Sequence, residues 1–448
     1  MFSRILIANR GEIAVRIIRA ARELGIETVA VYSDADKDSK HVRMADQSVC
    51  IGPPPPNESY LNISRIIAAA EVTKAEAIHP GYGFLAENAH FAEVCRDCNI
   101  EFIGPSAEAM KLLGDKVECK KLAIKQRVPT SPGSKGAIES EEKGVEVANE
   151  IGYPVMIKAA AGGGGRGMRV AHDDNSLRKG MRAAIAEAEN AFGDGTVYVE
   201  KFIEDAKHVE VQIIGDQHGN VVHLYERDCT MQRRKQKLIE EAPCPILTKE
   251  ERDKLCKSAA RLGKAAGYYS AGTVEFLMDK HKTFYLMEVN TRVQVEHPVS
   301  EMITGVDIVK TQIRVAAGEE LGFAQKDIKI NGHAIELRIN AEDPANNFIP
   351  CAGNVEMFDP PGGIGIRMDT HVVSGYRIPP NYDSMIAKLI GYGKTRDEAI
   401  HILRRALKEF EVAPIKTTIP LHDDLLHDEG FLSCKVDINY VERQLGLE

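Results

Sequence analysis

The sequence has no apolar run long enough to cross a bilayer and no excess of positive charge. Of its 448 residues, 44% are hydrophobic and 27% are charged. Every strongly apolar run is far shorter than the ~20 residues that a membrane-spanning helix needs. The 57 lysines and arginines are outnumbered by 66 acidic residues, and the formal charge of −9 disfavours nucleic acid or anionic lipid as a partner. We therefore expect a globular protein of about two to four domains that acts on a small molecule or a protein.

Two features of secreted proteins are also missing. The N-terminus, from Met1 to Ala8, lacks the charged, apolar and small-residue segments of a secretory signal. The nine cysteines are odd in number and scattered, which argues against a disulfide framework. Cys95 and Cys98 form a single C-x-x-C within a helical pattern, which favours a structural role over a metal or redox role. These features predict a cytoplasmic protein with reduced thiols.

The common nucleotide-binding glycine motifs are absent from their usual settings. The first strand-to-helix turn, Asn9 to Ala14, has one glycine where a dinucleotide site has G-x-G-x-x-G, and this opposes a nicotinamide dehydrogenase. No G-x-x-x-x-G-K-[ST] occurs, which excludes a Walker-type P-loop. The glycine-rich loop, residues 160–167, fits G-x-G-x-x-G but lies between two strand-like segments. It is predicted to be a flap whose N–H groups contact phosphate beside Lys158, with a flexible surface loop as the alternative.

The apolar periodicity divides the chain into three parts. Strand and helix alternate through the first part, which predicts a parallel sheet covered by helices. The second part begins with a helix from Asp115 to Lys125, contains a small α+β subdomain, and alternates as strands do from His208. The third part mixes strands with helices. The predicted domains of this mixed α/β and α+β chain are residues 1–114, residues 115–330 with a mobile subdomain at about 130–203, and residues 331–448.

The stretch from residue 288 to residue 298 is the most informative about function. Its polar residues are two apart, so an extended strand would place all of them on one face; they are Glu288, Asn290, Arg292, Gln294 and Glu296. A polar edge strand facing water is the simpler explanation, but Glu275 is predicted to face Glu288 across a hairpin. Two carboxylates about 4 Å apart repel by ~4 kcal/mol at an effective dielectric constant near 20, which favours a bound cation.

These residue types suit a metal and an anion at one site. Glu275, Glu288 and Asn290 supply the hard oxygen ligands of a Mg²⁺ that also holds phosphates. Arg292 offers a planar fork for a carboxylate-like anion, and Glu296 could remove a proton from that anion. The pattern therefore predicts chemistry on a phosphate and a small anion.

The sequence resembles the biotin carboxylases of the ATP-grasp superfamily over essentially its whole length. The resemblance rests on residues 7–14 (IANRGEIA), 79–85 (HPGYGFL), the glycine-rich loop, 288–298 and 332–344 (GHAIELRINAEDP). It implies an ATP-grasp fold with a Rossmann-like N-terminal domain, a mobile lid and a mixed C-terminal domain. It also implies an ATP-dependent ligase that uses Mg²⁺ or Mn²⁺ and bicarbonate to carboxylate biotin on a carrier protein, through carboxyphosphate.

The resemblance also implies roles for individual residues. ATP contacts are implied at Lys116, Lys158, Gly163, Gly164, Gly165, Gly167, Met168, Glu200, Lys201, Ile203, His208, Gln232, Glu275 and Glu288. Metal contacts are implied at Glu275, Glu288 and Asn290, bicarbonate contacts at Lys237, Arg292, Gln294, Val295 and Glu296, and biotin contacts at Tyr82 and Arg338. The implied catalytic residues are Lys237, Arg292, Glu296 as general base and Arg338 as stabiliser of the biotin enolate. Lys235 departs from the family, which often has histidine at that position.

The same resemblance implies partners. Because no all-β segment follows Leu407, the biotin carboxyl carrier protein and the carboxyltransferase subunits are expected to be separate, as in the multi-subunit acetyl-CoA carboxylases of fatty acid synthesis. Residues 108–111 (EAMK) resemble a biotin-attachment sequence, but they fall in a predicted helix, so no attachment is expected there. Arg16, Arg19 and Glu23 resemble positions at a homodimer interface, with ordinary surface charges as the alternative.

Three other functions stay open at this point. Another ATP-grasp ligase that forms an acylphosphate would lack the anion-binding set from Arg292 to Glu296. A non-catalytic nucleotide-binding module would have lost Glu275, Glu288 or Glu296, and all three are present. A dehydrogenase is opposed by the single glycine of the first turn.

Overall fold

The computed structural model describes residues 1–134, 136–159, 168–193 and 195–447. The loop glycines Gly163, Gly164, Gly165 and Gly167 lie outside these residues, so their contacts with phosphate stay a prediction. Within the described ranges, no helix is both long enough and apolar enough to cross a bilayer. The predicted mixed α/β and α+β class is confirmed, because a parallel sheet is followed by antiparallel sheets.

The first part of the chain alternates strand and helix, as predicted. Its strands are β1 (Arg4–Ile7), β2 (Glu27–Ser33), β3 (Gln47–Gly52), β4 (Ala77–His79) and β5 (Glu101–Phe102), and its helices are α1 (Gly11–Glu23), α2 (Lys40–Met44), α3 (Ile63–Thr73), α4 (Ala89–Asp97) and α5 (Ala107–Gly114). The strands form a parallel sheet in the order β3-β2-β1-β4-β5. Ile5, Leu6 and Ile7 are fully buried, which suits the central strand of such a sheet.

The loops after β1 and β4 meet where the strand order reverses. The amide Nδ2 of Asn9 donates to the carbonyl oxygens of Pro80 and Tyr82, at 2.7 Å each. Gly81 has φ +64°, and a Cβ there would lie 2.9 Å from Asn9 Nδ2, so only glycine fits without strain. These contacts fix Tyr82 at the carboxyl ends of the strands, the edge at which open α/β sheets bind ligands.

A small α+β unit follows. Its elements are α6 (Lys116–Lys125), α7 (Glu141–Ile151), β6 (Val155–Ala159), β7 (Met168–Ala171), α8 (Asp174–Phe192) and β8 (Val197–Lys201). The strands form an antiparallel sheet in the order β7-β6-β8, and α7 and α8 cover it through apolar side chains such as Val155, Ile157 and Leu177. The glycine-rich loop thus connects two strands, as predicted, rather than a strand and a helix.

Long antiparallel strands make up the middle of the chain. The elements are β9 (Lys207–Gly215), β10 (Val221–Arg233), β11 (Gln236–Ala242), α9 (Lys249–Ala265), β12 (Ser270–Met278), β13 (Phe284–Asn290), α10 (His297–Thr304) and α11 (Ile308–Ala316). One face of β9 packs on α9 through Val211 and Ile213, while Glu210 and Gln212 point the other way. Both of these polar residues are fully buried, so the second face needs polar partners.

The last third extends the same sheet. Its elements are β14 (His333–Asn340), β15 (Glu342–Asp343), β16 (Ile349–Pro350), β17 (Gly353–Asn354), β18 (Met357–Asp359), β19 (Ile366–Thr370), β20 (Arg377–Ile378), β21 (Met385–Gly393), α12 (Arg396–Glu409), β22 (Glu411–Ala413), α13 (Ile419–His427), α14 (Glu429–Leu432) and α15 (Tyr440–Gln444). An eight-stranded antiparallel sheet runs in the order β13-β12-β9-β10-β11-β14-β21-β19. Pairing of β11 with β14 therefore joins the second and third parts of the chain in one sheet.

One prediction about this sheet is wrong. Strand β13 ends at Asn290, so the polar residues from 288 to 296 do not form one extended face. Val293 is fully buried in the apolar cluster that includes α1 and α11, which draws the chain away from the sheet edge. Helix α10 then begins at His297, with Pro298 in its first turn, where a missing N–H costs nothing.

Candidate active site

Glu275 and Glu288 lie directly opposite each other on β12 and β13, as predicted. The side-chain amide of Asn290 donates to Glu275 Oε1 at 2.8 Å. Although burial favours the neutral acid, Lys237 and His208 hold the pKa of Glu275 below its usual range. Desolvation and the negative charge of Glu275 raise the pKa of Glu288. The hairpin therefore places an ionised carboxylate beside one that loses its proton less readily.

Lys237 contacts three buried carboxylates. Its Nζ lies 2.6 Å from Glu210 Oε2, 3.2 Å from Glu275 Oε1 and 2.5 Å from Glu296 Oε1. The guanidinium of Arg227 donates from Nε to the other oxygen of Glu210 at 2.6 Å. Although burial opposes its charge, these carboxylates raise the pKa of Lys237 well above the usual value. The ammonium is therefore a permanent positive charge at the centre of the site.

Glu296 is bound on its other side by Arg338. The Nη2 atom of Arg338 donates to Glu296 Oε2 at 2.9 Å, and its Nε donates to Glu240 Oε1 at 2.6 Å. Although burial favours the neutral acid, Lys237 and Arg338 hold the pKa of Glu296 well below its usual range. Burial raises the pKa of Glu240 to about 7, because the attraction of Arg338 only partly offsets desolvation and Glu296 adds repulsion. One guanidinium is thus shared by an ionised acid and by an acid that titrates near neutral pH.

The loop after β13 gathers its polar side chains by folding back on itself. Arg292 donates from Nη1 to Gln294 Oε1 at 2.7 Å and from Nη2 to Asn290 Oδ1 at 3.0 Å. Its Nε donates to Glu87 Oε2 at 2.8 Å. The amide of Gln294 donates to Glu275 Oε1 at 2.9 Å. The predicted anion-binding residues therefore meet at the acidic hairpin, although they do so from a loop and not from a strand.

Glu200 and Lys158 join the α+β unit to the rest of the site. The Nζ atom of Lys158 donates to Glu200 Oε2 at 2.7 Å, Lys120 Nζ donates to Oε1 at 3.0 Å, and Ser131 Oγ donates to Oε2 at 3.1 Å. Although burial opposes ionisation, Lys158 and Lys120 lower the pKa of Glu200 to about 2. Met168 is the backbone partner of Lys158 across the β6–β7 pair. This unit therefore presents two ammonium groups around one ionised carboxylate.

The other residues implied in ATP binding occupy several elements. Lys116 begins α6, and its charge acts on Glu288. Lys201 Nζ donates to the carbonyl oxygens of residues 152 and 153, at 3.0 and 2.8 Å. Ile203 is half-buried just beyond β8. His208 Nε2 lies 3.2 Å from Glu275 Oε2, and Gln232 Nε2 donates to the carbonyl oxygen of Cys229 at 3.2 Å.

Lys235 lies in the two-residue turn between β10 and β11. It has φ +66°, and its neighbour Arg234 has φ +46°. The backbone N–H of Arg234 donates to Glu442 Oε1 at 3.0 Å, so α15 holds the turn from outside. Burial and the nearby charge of Lys158 lower the pKa of Lys235. Lys235 therefore lies on the side of the site where Lys158 lies.

The predicted metal ligands fit a divalent cation by their chemistry. Glu275 faces Glu288 across the hairpin, and Asn290 is two residues beyond Glu288 on β13. Together they offer the carboxylate and amide oxygens that Mg²⁺ prefers. In the part of the chain that the structure describes, Glu275 also belongs to a buried group with His208 and Glu210 whose possible ligand atoms lie within 4.8 Å of one another. A cation there would offset the repulsion between Glu275 and Glu288.

Five charged residues of the site were not predicted from the sequence. Three of them contact catalytic candidates directly: Glu87 contacts Arg292, Glu210 contacts Lys237, and Glu240 contacts Arg338. Lys120 contacts Glu200, and Arg227 contacts Glu210. The alternation of His208, Glu210 and Gln212 with apolar residues along β9 was a usable signal for Glu210. Glu87 and Lys120 lie in ordinary helical or loop contexts, and no local pattern marks them.

Three family models match the chain. The model described as biotin carboxylase, N-terminal domain, matches residues 1–110. The model described as carbamoyl-phosphate synthase L chain, ATP binding domain, matches residues 115–324. The model described as biotin carboxylase C-terminal domain matches residues 336–443.

Individual relatives match the chain from end to end. Biotin carboxylase 1 of Bacillus subtilis (strain 168) is 55% identical over 443 residues, which are 99% of this chain and 98% of that protein. The crystal structure of a biotin carboxylase–β-γ-ATP complex from Campylobacter jejuni matches with a TM-score of 0.95 at 50% identity, over 99% of both chains. The biotin carboxylase domain dimer of Hydrogenobacter thermophilus 2-oxoglutarate carboxylase, solved with MgADP, ADP and bicarbonate, matches with a TM-score of 0.94 at 49% identity, over 100% of this chain and 98% of that chain.

The fold and the site define an ATP-grasp enzyme whose acidic hairpin offers carboxylate oxygens that suit a divalent cation. At this level of identity and coverage, the chain belongs to the biotin carboxylase family. The family resemblance noted from the sequence motifs is thereby confirmed.

Proposed function

We propose that the protein is the biotin carboxylase component of an acetyl-CoA carboxylase, which uses ATP and bicarbonate to carboxylate biotin on a separate carrier protein. The observation that supports this most directly is Glu296, a buried and ionised carboxylate held between Lys237 and Arg338 beside the acidic hairpin. The residues therefore combine a base, an anion-binding cation and metal ligands. We also propose domains at residues 1–114, 115–330 and 331–448.

ATP would bind between the α+β unit and the hairpin. Lys116 and Lys158 would contact its phosphates, and the loop glycines Gly163, Gly164, Gly165 and Gly167 would close over them. Because two lysines occupy the carboxylate of Glu200, recognition of the base by residues 200–203 would fall to their backbone groups. Glu275, Glu288 and Asn290 would hold Mg²⁺ or Mn²⁺, which supplies charge neutralisation for the phosphates when it is bound.

Bicarbonate would enter between Arg292 and Lys237, beside Gln294 and Val295. In the structure, Lys237 donates to Glu296 at 2.5 Å and keeps that carboxylate weakly basic. An anion that takes part of the hydrogen bonding of Lys237 would weaken its hold on Glu296. Glu296 would then accept the bicarbonate proton as the bicarbonate oxygen attacks the terminal phosphorus of ATP, which gives carboxyphosphate and ADP.

Biotin would bind at Arg338 and Tyr82. Arg338 is held by Glu240 and Glu296 with its guanidinium in a fixed plane, which suits stabilisation of negative charge on the ureido oxygen of biotin. The carboxyl group of carboxyphosphate would pass to the biotin nitrogen as its C–O bond to phosphate breaks, and the leaving phosphate would accept the proton that this nitrogen loses. We propose that separate carboxyltransferase subunits then transfer this carboxyl group from biotin to acetyl-CoA.

A homodimer is the assembly we propose. The matched Hydrogenobacter domain is a dimer. In this chain, Arg16, Arg19 and Glu23 line an open groove with residues 301, 302, 305–307 and 367–369. Arg16 already pairs with Glu301 at 2.9 Å and with Asp307 at 2.7 Å, so it would contribute to the groove as part of an ion-pair network.

The test is ATP hydrolysis with and without bicarbonate and free biotin. Hydrolysis by the wild type should require bicarbonate and rise with biotin, and Glu296→Gln should keep ATP binding while bicarbonate-dependent turnover falls about 10²–10⁴-fold. Glu141→Gln, which changes an exposed ion pair with Arg182, is the control and should behave as the wild type. Unchanged turnover in Glu296→Gln, or hydrolysis that ignores biotin, would refute the proposal.

A further inference from the structure

Lys388 is a fully buried lysine that lies beside the proposed bicarbonate and biotin sites. It lies on β21, and its backbone partner across β14 is Arg338, so the two side chains point to the same face of the sheet. On the other side of β21, its partner in β19 is Asp369. Although burial opposes its charge, the carboxylates of Glu12, Glu336 and Asp369 raise the pKa of Lys388. The side chain is therefore a buried ammonium.

This ammonium joins segments that are far apart in the sequence. Its Nζ donates to the carbonyl oxygen of Val295 at 2.8 Å, in the loop assigned above to bicarbonate. The same atom lies 3.1 Å from Glu12 Oε1, on helix α1. Glu12 in turn accepts a hydrogen bond from the hydroxyl of Tyr82. One lysine from the last third of the chain therefore touches the bicarbonate loop directly and Tyr82 through one carboxylate.

We propose that Lys388, acting with Glu12, is a positioning residue that fixes the distance between the bicarbonate loop and the biotin-side Tyr82. This inference rests on the proposed function, which gives Val295 and Tyr82 their roles. Carboxyl transfer needs the reacting groups within about 3–3.5 Å of one another, so small shifts of either segment would slow it. Lys388 is suited to prevent such shifts, since an ammonium makes several hydrogen bonds at once and this one is out of reach of water.

The contacts of Lys388 also predict for which substrates its loss should change the KM. Among the described residues, its hydrogen bonds and ion pairs reach Val295 and Glu12 and do not reach Lys158 or Glu200 on the nucleotide side. Its loss should therefore raise the KM for bicarbonate and for biotin and leave the KM for ATP nearly unchanged. General destabilisation would not separate the substrates in this way.

Four variants and one control test the inference. Lys388→Met removes the ammonium, and Glu12→Gln keeps an acceptor for Tyr82 but removes the ion pair. The double variant Lys388→Met/Glu12→Gln removes both charges, so Glu12 is not left as a buried carboxylate without its lysine. Lys388→Arg keeps the positive charge, so its KM values and its hydrogen exchange should lie between those of the wild type and those of Lys388→Met. The control is Arg404→Met, which removes another cation that binds a carbonyl oxygen in this third of the chain, that of Leu426.

Two measurements are made on each variant. The first is the set of KM values for ATP, bicarbonate and free biotin in the ATP hydrolysis assay. The second is backbone hydrogen exchange in residues 80–84 and 292–297, which requires no activity. We expect Lys388→Met and the double variant to raise the KM for bicarbonate and for biotin about tenfold or more, with the KM for ATP within about twofold, and to increase exchange in both segments. Arg404→Met should lower thermal stability without either change.

The outcomes separate this inference from the proposed function. If wild-type hydrolysis ignores bicarbonate and biotin, the proposed function fails, and the positioning role is then judged by hydrogen exchange alone. Exchange that stays unchanged in either segment, in both Lys388→Met and the double variant, refutes the positioning role. An equal rise of all three KM values refutes it as well, because that result indicates general loosening of the fold.

Discussion

Glu240 is predicted to make the stability of this protein depend on pH near neutrality. It is fully buried on β11, directly opposite Glu336 on β14, and it accepts a hydrogen bond from Arg338 Nε at 2.6 Å. Burial raises its pKa from 4.5 to about 7. Between these two values the folded protein holds a proton that the unfolded chain releases, so stability falls as the pH rises. The perturbation we consider is Glu240→Gln, since glutamine has the shape of the neutral acid and does not titrate.

The size of the effect follows from the two pKa values. Each pH unit between them costs the wild type about 1.4 kcal/mol of folding free energy. From pH 5 to pH 8 the loss comes to about 2–3 kcal/mol, because it begins gradually at the low end and stops growing above the folded-state pKa. Glu240→Gln lacks this loss. The variant should therefore gain about 2–3 kcal/mol relative to the wild type across this range, whatever their difference at pH 5.

Calorimetry at several pH values between 5 and 8 measures this difference. The melting temperature of the wild type should fall relative to that of Glu240→Gln by a few degrees over the range. Asp36→Asn is the matched control, because Asp36 is also fully buried and also accepts from an arginine Nε, that of Arg10 at 2.7 Å. The pKa of Asp36 is lowered to about 2, so Asp36→Asn should differ from the wild type by a constant amount. Parallel curves for the wild type and Glu240→Gln would refute the reasoning.

Two further predictions concern the nucleotide side of the site. Lys235→His should raise the KM for ATP about two- to fivefold and leave the KM for bicarbonate unchanged, because Lys235 lies near Lys158; equal effects on both substrates would contradict this. Glu275→Gln and Glu288→Gln should each raise the Mg²⁺ concentration needed for half-maximal ATP hydrolysis about tenfold or more, as titration with Mg²⁺ would measure, and an unchanged Mg²⁺ requirement would remove that residue from the metal site.

The sequence predicted the parts of the site that depend on local pattern. The hairpin that faces Glu275 with Glu288 follows from two short alternating strands and the turn between them, because strand register in a hairpin is a local property. The glycine-rich loop was likewise placed between two strands, since flanking apolar runs determine that context. The family resemblance implied roles for residues such as Lys237, which no local pattern marks, and these roles stay predictions.

The sequence did not predict where the polar strand ends. Alternation from Glu288 to Glu296 is the same whether the chain stays extended or turns away after Asn290. The outcome depends on Val293, which gains more from burial against α1 and α11 than an exposed edge strand would give it. That apolar surface is formed by residues that are distant in the sequence, so the local pattern around Val293 does not predict it.

The buried partners of the site were missed for the same reason. Glu240 and Lys388 lie in segments whose pattern predicts ordinary strands. They lie at the site because β11, β14 and β21 are neighbours in one sheet. Cross-strand register brings Lys388 opposite Arg338 and Glu240 opposite Glu336. Contacts between strands that are far apart in the chain are set by the whole fold.

The charges around Glu296 explain how a buried carboxylate stays ionised before the proposed bicarbonate binds. A free carboxylate in this buried place would take up a proton, because burial favours the neutral acid. Lys237 and Arg338 prevent this and keep Glu296 charged, but they also make it a poor base. A bicarbonate bound at Lys237 would draw that ammonium away and make Glu296 more basic at the moment when the bicarbonate proton is to be removed. The same hydrogen bonds that stabilise the resting site would therefore couple proton removal to the arrival of bicarbonate.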